Sequence, residues 1–317
     1  MKIYFAPLEG ITGYTFRNTF NDMFGSNIDK YYTPFIMAHE KRGLNFKEQN
    51  DVSPLNNAGL KLVPQVLVNS SYEYLHMEKC FSELGYDEIN LNFGCPSQTV
   101  VTKKRGSGIL LYPDILDKCL YEIFSSASCK VSVKTRIGYD TVDDAYDILS
   151  VFNKYPIKEL TVHPRLRNEF YNGNVHLDVF DMFLKESVNP LVYNGNIFSL
   201  DDYNLLLKRP DFDKVSAVMI GRGLVRNPLL ADEICGNVSI SREKLLVFLE
   251  KLSENYTEVM PGETPVLFKM KEIWSFFVSD NPDYPGFCFD IDMKLFKKMK
   301  KTTSLSLFLA LQREILS

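Results

Sequence analysis

Cys95 stands in "NFGCPSQ", between a glycine and a proline, directly after an apolar run. A thiol held between a residue that permits unusual backbone angles and one that fixes them is either placed for chemistry or packed into a turn. Lys134 closes the run "VSVK", with Arg136 two residues on. A lysine there can form a Schiff base or face a heteroaromatic anion. His163 closes "LTVH" and can be a ligand, a base or a satisfied core histidine. Gln65 and Asn92 add amides that both donate and accept. "NGN" at 194–196 and "GRG" at 221–223 join glycines, whose N–H groups approach phosphate oxygens closely, to the Arg222 guanidinium fork. Each motif alone also reads as a turn or cap. Together they end nearly every apolar run in a polar group, and such groups cost free energy when buried without partners. A ligand rich in donors and acceptors would pair them.

These residues need a scaffold that delivers strand ends to one rim. The apolar runs are "KIYFAP", "YYTPFI", "KLVPQVLV", "DEINLNF", "CKVSVKT", "KELTVH", "PLVYNG" and "SAVMIG". Each is short and rich in Val, Ile, Leu or Tyr, without clean alternation, as in strands buried on both faces. Stretches of helical spacing lie between them, several opening on Ser, Asp or Thr. Alternating strand and helix predicts a parallel sheet, and eight units fit a closed (β/α)8 barrel. An open doubly wound sheet would favour a Gly-rich dinucleotide fingerprint after the first strand, where this chain has "APLEGITG". In a barrel the reactive rim is the C-terminal end of the strands, and the last two loops are the usual phosphate site.

Beyond about residue 238 only helical patterns remain. The expected organisation is an α/β barrel domain over 1–238 and a small helical domain over 239–317. Lys294, Lys297, Lys298, Lys300 and Lys301 crowd one predicted helix. They form either a solvated face or a phosphate-contacting surface. Lys269 and Lys271, in "FKMKEIWSFF", are further candidates for phosphate contact.

At 317 residues, 45% hydrophobic and 24% charged, the chain can bury a sizeable core. No secretory leader or bilayer-spanning run is read at its start, which predicts an intracellular, cytoplasmic protein. None of the six cysteines forms a Cys-x-x-Cys pair, and four histidines without clustered carboxylates give a metal site no support. A net charge of −4 does not announce a nucleic-acid binder, although binding follows the charge of one face rather than the total. With no P-loop lysine motif, a phosphate would belong to a bound cofactor rather than a transferred group. A cation, a histidine, an amide and a phosphate pocket fit flavin mononucleotide (FMN); a Schiff-base aldolase built on Lys134 fits the same residues.

In chain order, "APLEGITGYTFRN", "PQVLV", "INLNFGCP", "VKTRIG", "TVHPR", "YNGNI" and "MIGRGLVRNP" resemble the motifs of tRNA-dihydrouridine synthases. The resemblance covers about the first 230 residues, and the helical tail suits it. It implies an FMN-dependent TIM barrel that reduces specific uridines of tRNA to 5,6-dihydrouridine, with NADPH or NADH as electron donor. Hydride would pass from reduced flavin to C6 and a proton from Cys95 to C5. By the same resemblance Gln65, Lys134 and His163 contact the flavin ring and Pro7 and Leu8 pack on it. Asn194, Gly195, Asn196, Gly221, Arg222 and Gly223 hold its phosphate end. Asn92 and Arg136 bind substrate. Implied with these are tRNA as partner, no membrane, no metal and action as a monomer. The alternative is a flavin oxidoreductase on a free pyrimidine, like dihydroorotate dehydrogenase. Two stretches depart from the motifs: "HPRLRNEF", where Gly-Arg-Thr is common, and "RGSGIL" at 105–110.

Overall fold

A computed structural model describes residues 1–236, 241–278 and 289–317. Ten strands run parallel in one sheet: β1 (Lys2–Phe5), β2 (Lys30–Tyr32), β3 (Ile36–Met37), β4 (Leu62–Val63), β5 (Gln65–Leu67), β6 (Glu88–Phe93), β7 (Lys130–Gly138), β8 (Leu160–Leu166), β9 (Leu191–Tyr193) and β10 (Ala217–Ile220). Their order is β3-β5-β6-β7-β8-β9-β10-β1-β2-β4. Eight apolar runs thus yield ten strands, because two runs are interrupted. Pro64 separates β4 from β5, and residues 33–35, with Pro34 at their centre, separate β2 from β3. Proline has no N–H for a ladder bond. At the break the Gln65 N–H donates to the Thr33 hydroxyl instead, at 3.0 Å. Since β2 pairs β4 and β3 pairs β5, the two ends of the order belong to the same pair of interrupted strands, and the sheet closes on itself. The parallel (β/α)8 barrel expected from the sequence is the fold.

The chain divides into two compact units. The first holds Met1–Pro7, Asp29–Asn196 and Asn204–Ile220, which include every strand. Its interior is apolar on one side, where Tyr4, Ala6, Tyr32, Val63, Val192, Ala217 and Met219 form one buried cluster. The other side, lined by β5 to β8, is polar and carries Gln65, Asn92, Lys134 and His163.

The second unit holds Leu8–Ile28, Ile197–Tyr203 and Gly221–Ser317. In it the helix Tyr14–Phe24 packs Phe16, Phe20 and Phe24 around Phe248 of the helix Arg242–Val259, at ring separations of 5.3–6.3 Å. The first helix of the chain therefore groups with the tail. The expected boundary at 238/239 lies outside the described residues. Further on, Ser241, Asp292 and Ser304 each cap a helix by accepting from backbone N–H groups. Trp274 is fully buried and donates its indole N–H to Gln312 at 2.9 Å. Among the described residues no helix is long and apolar enough to cross a membrane.

Candidate functional site

Strand β6 reads Glu-Ile-Asn-Leu-Asn-Phe, and all six residues are buried. Alternation sends Glu88, Asn90 and Asn92 to one face and Ile89, Leu91 and Phe93 to the other. Fully buried amides must find partners, and these form one file. Asn92 Nδ2 donates to Gln65 Oε1 at 2.8 Å. Gln65 Nε2 donates to Asn90 Oδ1 at 2.8 Å. Asn90 Nδ2 donates to Ser132 Oγ at 3.0 Å, and Ser132 hydrogen-bonds to Glu88.

Chemistry fixes the direction of this file. Burial pushes the Glu88 carboxyl up, but Lys30, Lys158 and Ser132 outweigh it and hold it below the usual carboxylate range. An ionised carboxylate only accepts, so Ser132 gives it its proton and takes one from Asn90. Every amide above is then set in a single orientation. At the far end Asn92 Oδ1 accepts from the backbone N–H groups of Gly94 at 3.0 Å and Cys95 at 2.9 Å. Below Glu88 the charges are balanced: Lys30 pairs with Glu88 and Glu159, Lys158 with Glu88, and Tyr4 donates to Glu159 at 2.7 Å.

Cys95 is held from its other side by "RGSG". The Ser107 backbone N–H and hydroxyl both donate to the Cys95 carbonyl, at 3.0 and 2.9 Å. Gly106 makes this approach possible. Its φ is +54°, and a Cβ there would stand 2.7 Å from the Cys95 carbonyl oxygen. The clamp on the cysteine thus lies in the Gly106-Ser107 pair, ahead of the residues at which "RGSGIL" departs from the motif.

Lys134 pairs in register with Asn92 on one side and Thr161 on the other. It is half-buried, and among the described residues its amine has no hydrogen-bond or carboxylate partner. Burial, then the neighbouring Arg136 guanidinium, push its pKa down to about 7, while Cys95 acts in the opposite direction. Arg136 is 1% exposed. Its Nε donates to the Gly94 carbonyl at 3.0 Å, Nη1 to Leu166 at 2.6 Å and Nη2 to Phe170 at 2.5 Å. Its fork ties the Cys95 turn to the loop after β8.

His163 is buried, and its Nε2 lies 3.2 Å from Arg165 Nη1. A guanidinium only donates, so Nε2 accepts and a neutral ring carries its proton on Nδ1. Arg165, also fully buried, reaches Asn196 Oδ1 at 3.2 Å and the carbonyls of Asn172 and Gly173. It therefore links His163 to the "NGN" turn. Asn194 donates through Nδ2 to the Met219 carbonyl at 2.7 Å. A Cβ on Gly195 would lie 2.1 Å from the Tyr193 hydroxyl, whose ring is packed 4.9 Å from Phe180. Glycine is needed there for that hydroxyl, whatever else the turn binds.

The barrel unit thus brings together Gln65, Asn92, Cys95, Lys134, Arg136, His163, Asn194, Gly195 and Asn196, and Pro7 ends its first segment. Leu8, Gly221, Arg222 and Gly223 fall in the helical unit. There the Leu8 N–H donates to Thr12 Oγ1 at 2.8 Å. Gly221 caps a short helix, Arg222–Arg226, and the Arg222 guanidinium lies 5.3 Å from the Phe198 ring centre. Lys269 and Lys271, expected at phosphate, also have partners within the chain. The Lys269 amine binds the Gly10 carbonyl and Glu272, and Lys271 binds the Thr302 carbonyl at 2.6 Å. The sequence motifs single out none of Glu88, Asn90, Ser132 and Ser107, and leave Arg165 in doubt as a substrate contact. The signal for the first two was the Glu-x-Asn-x-Asn alternation within an apolar strand.

A family model described as dihydrouridine synthase matches residues 4–262. The tRNA-dihydrouridine synthase B of Pasteurella multocida is 28% identical over 239 residues, covering 72% of this chain and 67% of that protein. A probable tRNA-dihydrouridine synthase of Staphylococcus aureus is 28% identical over 238 residues, covering 70% and 68%. Among solved structures, a variant of NCR from Zymomonas mobilis aligns with a TM-score of 0.50 at 12% identity. It covers 77% of this chain and 90% of that one, a likeness of fold alone.

Proposed function

The chain belongs to the dihydrouridine synthase family, and we propose on that premise that it reduces uridines in tRNA to 5,6-dihydrouridine with FMN as its cofactor. The observation that carries the reading is the Lys134 amine, which has no protein partner among the described residues and interacts with Cys95. A half-buried lysine with no hydrogen-bond or carboxylate partner among the described residues suits an anionic ring system. On the resemblance, Gln65 and His163 are assigned to the ring edge, Pro7 and Leu8 to its face, and Asn194, Gly195, Asn196, Gly221, Arg222 and Gly223 to the phosphate end. When bound, FMN supplies the hydride for C6 of the uracil, with NADPH, or NADH in its place, as the external electron source.

The chain's own residues do the rest. Cys95 Sγ holds the proton that forms the new C5–H bond as the C5=C6 double bond is lost. The thiolate left behind is favoured by Lys134 and Arg136, both of which interact electrostatically with Cys95, and it regains its proton from solvent. Asn92 has both Oδ1 bonds committed to the Cys95 turn and one Nδ2 hydrogen to Gln65; its second Nδ2 hydrogen serves the uracil edge. Arg136 bears on the substrate through the two loops that it ties. A base packed in folded tRNA must swing out to reach such a site, at a cost of a few kcal/mol. The helical unit is assigned the grip on tRNA, and action on tRNA implies the cytoplasm.

The test is mass-spectrometric measurement of dihydrouridine in unmodified tRNA incubated with purified protein and NADPH. Cys95→Ala should keep its flavin absorbance and lose about a hundredfold or more in rate, the range for removing a general acid. Equal rates would exclude Cys95 as the proton donor, and no product from the wild type would exclude the reaction.

A further inference from the structure

Four aromatic and basic side chains on and beside the loop after β8 remain without a role in this reading. Phe170 is held at φ +53°, ψ −98°. That is outside the left-handed helical well, in a region that bulky side chains rarely occupy. Its ring is nevertheless 42% exposed, so core packing does not explain why the chain keeps phenylalanine there. The neighbouring Tyr171 is 43% exposed, and its ring centre lies 6.2 Å from that of His163. Arg167 places its guanidinium 5.4 Å from the Phe170 ring centre and 5.2 Å from that of Tyr139, and it binds the Gln98 side chain. Glu169 braces the loop by accepting from the Leu166 N–H at 2.7 Å and meeting His176 at 2.7 Å.

The position of this loop is set by Arg136. The same guanidinium holds the carbonyls of Gly94 and Phe170, so the exposed rings stand one guanidinium away from the Cys95 turn. A rigid, braced loop that presents two rings and a cation next to the reactive thiol has the composition of a base-stacking surface. Aromatic faces and guanidinium planes take bases of any identity, and the cation also suits the adjoining phosphate.

We propose that Phe170 and Tyr171, with Arg167, form a stacking ledge for an unpaired RNA base that neighbours the uridine entering the site. The ledge rests on the tRNA reading above and extends it to a second nucleotide. Swinging out the target base leaves its neighbours without a stacking partner, and the ledge supplies one. The strain at Phe170 is retained because the ring is required where that backbone angle puts it.

Three variants test this in the flavin-loaded enzyme: Phe170→Gly, Phe170→Trp and Tyr171→Ala. Affinity for unmodified tRNA is read by fluorescence anisotropy, KM for NADPH by steady-state turnover and Tm by thermal unfolding. Phe170→Gly should raise Tm, since glycine accepts the angle, and weaken tRNA binding about tenfold, within the range for one base–aromatic stack. Tyr171→Ala should weaken it similarly, while Phe170→Trp should stay within about threefold of wild type, and KM for NADPH should not move. The ledge is overturned if Phe170→Gly lowers Tm, if both truncations leave tRNA affinity within twofold, or if the loss appears in KM for NADPH, which would make the surface a dinucleotide contact. A wild type that forms no dihydrouridine overturns the underlying reaction instead, so the two failures are distinguishable.

Discussion

Lys134 carries its charge at a cost that the pH dependence of stability should expose. Its folded pKa is pushed down to about 7 from an ordinary value of 10.5. Between those values the unfolded chain binds more protons at this residue than the folded chain, so its contribution to stability rises with pH across that window. Thermal unfolding of the flavin-free protein from pH 7 to pH 10 should show that rise as the difference between wild type and Lys134→Met, since the raised thiols of Cys80, Cys119 and Cys129 act in the opposite sense in both. An unchanged slope would mean that the amine titrates normally. Single residues of this kind were legible because a lysine, a thiol or a histidine at the end of an apolar run conflicts with its surroundings. Arg165 was not. A basic residue just past a strand reads as solvent-facing, and only the folded chain shows it fully buried between His163 and Asn196. At Lys269 and Lys271 the sequence showed the charge but not its partners within the chain. Their positive charge suggested phosphate; in the folded chain Lys269 also donates to Gly10 and Glu272, and Lys271 to Thr302.

At the scale of the strand, β6 and β7 act as one device. Ser132→Ala should remove the acceptor of the Asn90 Nδ2 group and leave it buried and unsatisfied, at a cost of about 1–3 kcal/mol in denaturant unfolding. The same change should loosen the Cys95 turn, read as faster alkylation of Cys95 by iodoacetamide in peptide mapping. Ser132→Thr, which keeps the hydroxyl, should restore both. A loss of stability with no change at Cys95 would show that the amide file stops short of the turn. The strand count was less legible than the strands themselves. Hydrophobic runs report burial and continue straight through Pro34 and Pro64, whereas a ladder needs N–H groups that proline lacks. The fold class survived because the interrupted segments still pair in parallel on both sides of the breaks, β2 with β4 and β3 with β5, although the register shifts by one residue between them.

For the whole molecule, the two compact units do not follow the chain as a simple head and tail. The helix Tyr14–Phe24 belongs with the tail because its phenylalanines surround Phe248, a long-range preference that no local pattern encodes. The lysine helix Met293–Lys301 was more legible. Phe296 and Met299 are buried while all five lysines are exposed, and among the described residues none of these lysines has a carboxylate partner. Unpaired cations on one face suit phosphate contact. Lys297→Glu with Lys298→Glu should weaken tRNA binding and lower the slope of log affinity against log salt by about two, one for each phosphate no longer neutralised. Flavin content should stay constant. Unchanged affinity and slope would mark the face as merely solvated.

The direction of the amide file has a consequence for how this protein can drift in sequence. All its donors run one way, from the Cys95 turn at one end of β6 to Glu88 at the other. The carboxylate fixes that direction at one end, and the backbone N–H groups of Gly94 and Cys95, which can only donate, fix it at the other. A descendant that exchanged Glu88 for an amide would keep the direction set by those N–H groups but could turn a donor toward Ser132, leaving that hydroxyl without an acceptor. Glu88, Ser132, Asn90 and Gln65 are therefore expected to change together or not at all, although only the last of them lies near the reactive end. Lys30 and Lys158, which keep Glu88 ionised, inherit the same restriction.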